Sequence, residues 1–256
     1  MLKIENVVLP SEEQWKAIIR GMRNPKNSWD KSDSGLGCYT EDEGSLLCKD
    51  CEGGGCVFPD YVLGPNDLKL MTALRDGGPV HAKYRRMITV YLDITAPLYW
   101  WKEYDTYKVG TVANSCSTMH KIHDKEFTLD DFSHEHLMST GCDLFNVEWD
   151  NGLFNRDIQP MEFLNDYIIH SLNVARKKFL ETNDKKYWWQ MIQLLPSSYN
   201  QKRTVMLNYE VLANIYRWRR DHKLDEWHTF CDWIEGLPYS ELITGKVKGE
   251  NNERTV

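Results

Sequence analysis

Apolar positions along the chain recur at helical and strand-like spacings that mark out separate elements. Over residues 11–23, Trp15, Ile18, Ile19 and Met22 follow three- and four-residue steps, which predicts a helix with Ser11 as its N-cap. Leu68, Met71 and Leu74 do the same over 66–76, and Gly77-Gly78 ends that run. Residues 87–101 open with β-branched strand character and pass at Pro97 into an aromatic stretch, Tyr99-Trp100-Trp101. A long amphipathic helix is predicted over 161–183, with Leu164, Ile168, Leu172, Ala175 and Phe179 on one stripe. A short Trp-rich helix over 185–195 stops at Pro196, and further helices follow over 205–220 and 224–235. Residues 125–150 are acidic and read as loop. The order predicts an α+β fold rich in helices, as one domain over 1–256 with a short polar tail at 246–256.

Composition narrows the function classes. Hydrophobic residues make up 41% of the 256 and charged residues 27%, which excludes disordered and fibrous chains. Lys plus Arg number 31 against 38 Asp plus Glu, a net charge of −7. That balance argues against nucleic-acid backbone binding, which needs a basic face, but leaves room for a small anion in a local basic pocket. The N-terminal MLKIENVVLPSEEQWKA has charges where a signal peptide needs an apolar core, and no apolar run reaches membrane-spanning length. The expectation is a cytoplasmic protein with no membrane partner, whose cysteines stay reduced unless they hold metal.

Four of those cysteines, Cys38, Cys48, Cys51 and Cys56, cluster in a segment of about 30–60 that is rich in Gly, Asp and Ser and has few apolar residues. Cys48-x2-Cys51 is the spacing with which two thiolates grip one tetrahedral ion, and Gly53-Gly54-Gly55 frees the backbone to bring Cys56 round. With few apolar residues to fold it, the insert is expected to draw stability from a structural zinc; loose surface thiols or a redox pair are the alternatives.

A second feature lies in VMLNYEVLANIYRWRR. On a helix over 205–220, Asn208, Leu212, Ile215 and Arg219 share one face, and polar groups on an apolar face need partners. Asn208 and Arg219 would lie about 16 Å apart along the axis, the span of a dinucleotide-sized ligand. Alternatively, Asn208 caps the helix start and Arg219 snorkels from its end. A third feature, Pro97 to His123, is dense in donors: Lys102, Tyr107, Lys108, Thr111, Asn114, Ser115, Cys116, Ser117 and Thr118. It matches no catalytic triad, P-loop or dinucleotide fingerprint, and could equally be a solvated loop. His120, His123, His134 and His136 lack carboxylate–His helical spacing and read as surface histidines.

Taken in order, the last two features resemble the flavin-dependent thymidylate synthase family. Laid without gaps from Pro97, Lys102 and Glu103 fall where that family has Arg and Gln, and Thr106-Tyr107-Lys108 on its Arg-His-Arg motif. Gly110-Thr111 fall on a small residue and Ser, Ala113-Asn114 on Asn-Glu, Cys116 on a later Ser, and Thr118-Met119 on Arg-Tyr. Downstream, Leu195-Pro196 match, Asn208 and Asn214 fall on two flavin-contacting Asn, Leu212 on a core Leu, and Arg219 on the Arg that contacts the pyrimidine. Upstream, His81 falls on the His of the family's Gly-His turn. Departures are several: Thr118 and Ile192 or Gln193 stand at nucleotide-binding Arg positions, while Glu210 and Lys223 replace a flavin-side Arg and a His.

The resemblance implies a flavin-dependent thymidylate synthase-like fold with FAD, a pyrimidine deoxynucleotide, a folate as one-carbon donor, and a homotetramer that shares its active sites. It implies Arg219 as the catalytic group acting on the pyrimidine. It places His81, Lys108, Asn208 and Asn214 at the cofactor, and Lys102, Glu103, Thr111 and Asn114 at the substrate. The departures add two expectations. Glu103, a carboxylate that only accepts, favours a ring donor such as the cytosine amino group. Cys116 is a nucleophile if Lys108 or Lys121 stabilises its thiolate, or else a small packed residue. The rival reading is a non-catalytic nucleotide-binding or interaction protein on the same scaffold, stabilised by zinc.

Overall fold

The computed structural model describes residues 1–37, 60–149, 152 and 154–245. Cys38, Cys48, Cys51 and Cys56, and the tail 246–256, lie outside the described residues. The elements run β1 (Lys3–Val8), α1 (Glu12–Arg23), β2 (Gly35–Gly37), β3 (Asp60–Val62), α2 (Pro65–Asp76), β4 (Thr89–Pro97), α3 (Leu98–Tyr104), β5 (Val112–Ser115) and α4 (Thr118–Lys121). Then come β6 (Phe145–Trp149), β7 (Phe154–Ile158), α5 (Pro160–Glu162), a π-helical stretch (Phe163–Ile169), α6 (His170–Thr182), α7 (Lys185–Leu194), β8 (Asn200–Asn208), α8 (Tyr209–Arg219), α9 (Asp225–Glu235) and α10 (Glu241–Thr244). One sheet has the order β1-β4-β8-β5; β2 pairs antiparallel with β3, Gly35 opposite Val62, and β6 with β7, Phe145 opposite Ile158. The α+β expectation holds.

The chain divides into two compact units. The first comprises residues 1–5, 93–106 and 113–204. Its core gathers Ile122, Phe127 and Phe132 with Leu164, Ile169, Leu172 and Ala175 from the long helix and Met191 from α7. That helix differs from the even α-helical stripe expected over 161–183. Leu164 is followed on the buried side by Ile169, five residues on, with Ile168 only partly buried. A π-helical turn closes i to i+5, so the wider stretch brings Leu164 and Ile169 into line before α6 resumes at Leu172 and Ala175. Residues 145–149, expected as loop, form one arm of the β6–β7 hairpin. Trp100, Trp101 and Tyr104 are buried core residues, with Trp101 Nε1 donating to the Gln201 carbonyl at 2.9 Å.

The second unit comprises 6–92, 107–112 and 205–256. Its first helix starts at a reciprocal cap: Gln14 N–H donates to Ser11 Oγ, and Ser11 N–H to Gln14 Oε1 at 2.8 Å. Trp15, Ile18, Ile19 and Met22 are all buried, each contributing about 1.5–3 kcal/mol of apolar burial. Arg23, at the helix end, is 3% exposed against Asp67, which is 0% exposed in the first turn of α2. Arg23 Nε donates to Asp67 Oδ1 at 2.6 Å, and its other nitrogens donate to the Ser28 and Lys31 carbonyls. Asp67 Oδ2 accepts from the Ser32 and Ser34 hydroxyls, both at 2.7 Å. Burial alone would raise the Asp67 carboxyl, but the Ser34, Ser32 and Arg23 contacts outweigh it and hold the group below its usual range. The predicted helix over 205–220 is corrected at its start: Val205 to Asn208 complete strand β8, and α8 begins only at Tyr209. Among the described residues, no helix is long and apolar enough to cross a membrane.

Candidate functional site around helix α8

Helix α8 carries most of the chemistry of the second unit. Its N-cap is Asn208, in extended backbone, whose Oδ1 accepts from the Val211 N–H at 3.0 Å. Asn208 therefore stands at the helix start rather than on the helix face, because the chain reaches it as a strand. Its Nδ2 donates to the Gly110 carbonyl at 3.5 Å, which ties the 107–112 segment to the head of α8. Gly110 sits at φ +83, and a Cβ there would come within 3.1 Å of Asn208 Nδ2 and 3.2 Å of Val211 Cγ2. Only glycine suits both the left-handed backbone and the close approach.

At the other end of α8, Arg219 is half-buried and donates from Nε to the Tyr107 hydroxyl at 2.8 Å. Its guanidinium carbon lies 4.9 Å from the Trp227 ring centre and 5.5 Å from that of Tyr107. The two rings meet edge to face at 6.1 Å. The 107–112 segment thus touches both ends of the helix, Gly110 at Asn208 and Tyr107 at Arg219.

Beside α8 opens a cavity of about 700 Å³, lined by Arg75, Arg85, Arg217 and Arg220, by Glu210 and Asn214, and by Gly78 and Pro79. The arginines come from three places: α2, the turn at 83–86, and the last turns of α8. Arg85, 8% exposed, donates from Nε and Nη2 to Glu210 at 2.9 and 2.7 Å and from Nη1 to the Leu242 carbonyl. Arg75 pairs with Asp76 at 2.7 Å. Arg217 has no carboxylate partner among the described residues, and its guanidinium lies 5.3 Å from the Trp218 ring centre. Among the described lining residues, four guanidinium groups face one carboxylate. In a chain of net charge −7, that is a strongly local concentration of positive charge. Converging arginines of this kind suit phosphate and diphosphate groups, which they can grip with two hydrogen bonds each.

Of the residues expected at the site, Asn214 is exposed and lines the cavity. His81 is exposed and follows the Gly78 turn, with its N–H donating to the Gly78 carbonyl. Lys108 is exposed; Thr111 donates to the Tyr107 carbonyl at 2.6 Å. In the other unit, Lys102 is exposed and Glu103 half-buried on α3, and Asn114 is exposed on β5. Cys116 is an exposed free thiol in a cleft of about 460 Å³ that Lys121, Lys125 and Lys202 also line. Among the described residues, no group of three or more His, Cys, Asp or Glu could hold a metal ion. Sequence reasoning missed Arg75, Arg85, Arg217 and Arg220. The Arg217-x-Arg219-Arg220 run was legible as a basic helix end, but Arg75 and Arg85 reach the cavity only through the fold.

No protein-family profile and no curated protein matches the chain in sequence. Solved structures do match it in fold. Thymidylate synthase X from Helicobacter pylori, with FAD and dUMP, superposes at a TM-score of 0.56 with 16% identity, over 96% of this chain and 98% of that one. A UMP/dUMP methylase, PolB from Streptomyces cacaoi, bound with 5-Br dUMP, superposes at 0.50 with 11% identity, over 92% and 89%. Correspondence that runs nearly end to end at such low identity is a likeness of fold. The chain has the fold of the flavin-dependent thymidylate synthases.

Proposed function

We propose that this protein is a divergent flavin-dependent enzyme of pyrimidine nucleotide metabolism, one that modifies C5 of dUMP or a related nucleotide. The observation that carries the reading is the arginine-lined cavity along α8, which holds Asn214, one of the two Asn that the resemblance places at the flavin. The donor set fits FAD: exposed arginines at the end of α8 suit its diphosphate, and about 700 Å³ is within the usual range for ligand cavities. Arg217 and Arg220 would hold the diphosphate, with Arg75 at the rim, Arg85 adding charge from its place beside Glu210, and the Asn214 amide as an orienting group. Bound there, FAD would supply the hydride, and a folate the one-carbon unit.

The protein's own contribution is orientation and charge. Arg219, fixed at the end of α8, would polarise the pyrimidine ring. His81, Lys108 and Asn208 at the cofactor, Lys102, Glu103, Thr111 and Asn114 at the nucleotide, and Cys116 as nucleophile belong to the same proposal. So do the shared tetrameric site and the zinc on Cys38, Cys48, Cys51 and Cys56, for which elemental analysis should find one zinc per chain.

One observation favours the non-catalytic reading: both ends of the Asn208 amide are engaged in the fold, with Val211 and Gly110, which argues against its grip on flavin. The two readings part on a simple test. Protein equilibrated with FAD and then desalted should stay yellow and bind dUMP by calorimetry. A colourless protein that still binds dUMP supports the non-catalytic reading.

A further inference from the structure

We infer that Tyr107 is a positioning residue for Arg219 in nucleotide binding, with Trp227 as the surface on which the guanidinium rests. The inference rests on the functional reading above and deepens it. An arginine side chain has many rotamers, and one that must meet a flat ring has to be fixed before the ligand arrives. Here the hydroxyl of Tyr107 accepts from Nε at 2.8 Å, while the Trp227 ring lies 4.9 Å from the guanidinium carbon. The first contact sets the rotation of the guanidinium plane, and the second sets its height.

Two further features tie Tyr107 to this task. It belongs to the segment that Gly110 pins to Asn208, so its hydroxyl is presented from a backbone already anchored at the head of α8. It also stands where the thymidylate synthase motif has a histidine between two arginines, and Thr106 and Lys108 retain only one of those two flanking cations. The change gives the segment a long neutral acceptor that reaches Arg219.

The test is Tyr107→Phe, which keeps the ring and removes only the hydroxyl acceptor. With the guanidinium no longer held in place before the ligand arrives, the dissociation constant for dUMP should rise about tenfold, about 1.4 kcal/mol. FAD retention and the melting temperature should stay as in the unsubstituted protein, which a merely structural role for Tyr107 would not allow. Unchanged dUMP affinity in Tyr107→Phe overturns the inference alone. So does a joint fall of dUMP affinity, FAD retention and melting temperature. If the unsubstituted protein binds no dUMP, the functional reading fails and the inference with it.

Discussion

Two groups of arginines in the same unit show how differently one residue type can be used. Around Arg23 there is one cation and one carboxylate, both almost wholly buried, and the hydrogen bonds run to carbonyls and hydroxyls of the 28–34 segment. Such a cluster has its charge balanced internally and gives the chain its path between α1 and α2. Along α8 four cations and one carboxylate line a cavity. Arg85 is matched there by Glu210, Arg75 by Asp76 and Arg220 by Asp221 at 3.5 Å, while Arg217 is exposed with no carboxylate partner among the described residues. The pairs of Arg75 and Arg220 reach exposed carboxylates and add little to stability, so the fold gains little from those arginines or from Arg217. They are better explained by an anion that comes from outside. Arg23 is buried with its charge balanced inside the fold, whereas Arg217 and Arg220, the arginines proposed to bind, are exposed.

The largest expected effect lies in the balanced cluster. Arg23→Ala leaves Asp67 buried without its cation, and breaking such a pair costs about 3–5 kcal/mol. For a chain of this size the melting temperature should fall by about 10 °C, as read by thermal denaturation. A change of only 1–2 °C would erase the contrast. In the cavity the expectation is opposite. Arg217→Ala should leave the melting temperature within about 2 °C, since exposed substitutions have small effects. It should weaken FAD retention about tenfold through loss of one charge-assisted contact.

A smaller effect concerns pH. The Asp67 carboxyl is held below its usual range in the folded chain, so its contribution to stability is present above the unfolded value of about 4. That contribution is lost as the pH falls through the lower, folded value. Chemical denaturation from pH 6 to pH 3 should show a loss of stability at the acid end that Asp67→Asn lacks. The smallest effect is on thiols. Burial, with Asp232 and Glu235 nearby, pushes the Cys231 thiol up to about 12, whereas Cys116 is exposed. Brief alkylation of the native protein at pH 8, mapped by mass spectrometry, should label Cys116 and spare Cys231.

Much of the fold is legible in the chain itself. The Ser11 cap and the Trp15, Ile18, Ile19, Met22 stripe place α1 to within a residue, because a reciprocal cap and a helical period coincide there. The strand end at 205–208 is hidden, since Val205, Met206 and Leu207 are apolar whichever side they face, and Asn208 suits a helix face as well as a cap. The π-helical stretch is hidden for a related reason. Leu164, Ile168 and Ile169 offer two possible registers, and packing against Phe127 and Phe132 selects the wider one. At the site, Arg219 and Asn214 were legible because α8 carries them together. The four-arginine cavity was not, because Arg75 and Arg85 lie more than a hundred residues before α8.

The central claim is that the cavity along α8 holds FAD, and the most direct measurement is bound flavin per chain. The unsubstituted protein and an Arg217→Glu, Arg220→Glu double variant would be equilibrated with FAD, desalted, and read by flavin absorbance. The account predicts close to one flavin per chain in the first and almost none in the second, with both melting at similar temperatures. A colourless unsubstituted protein, or equal flavin in both, would contradict it.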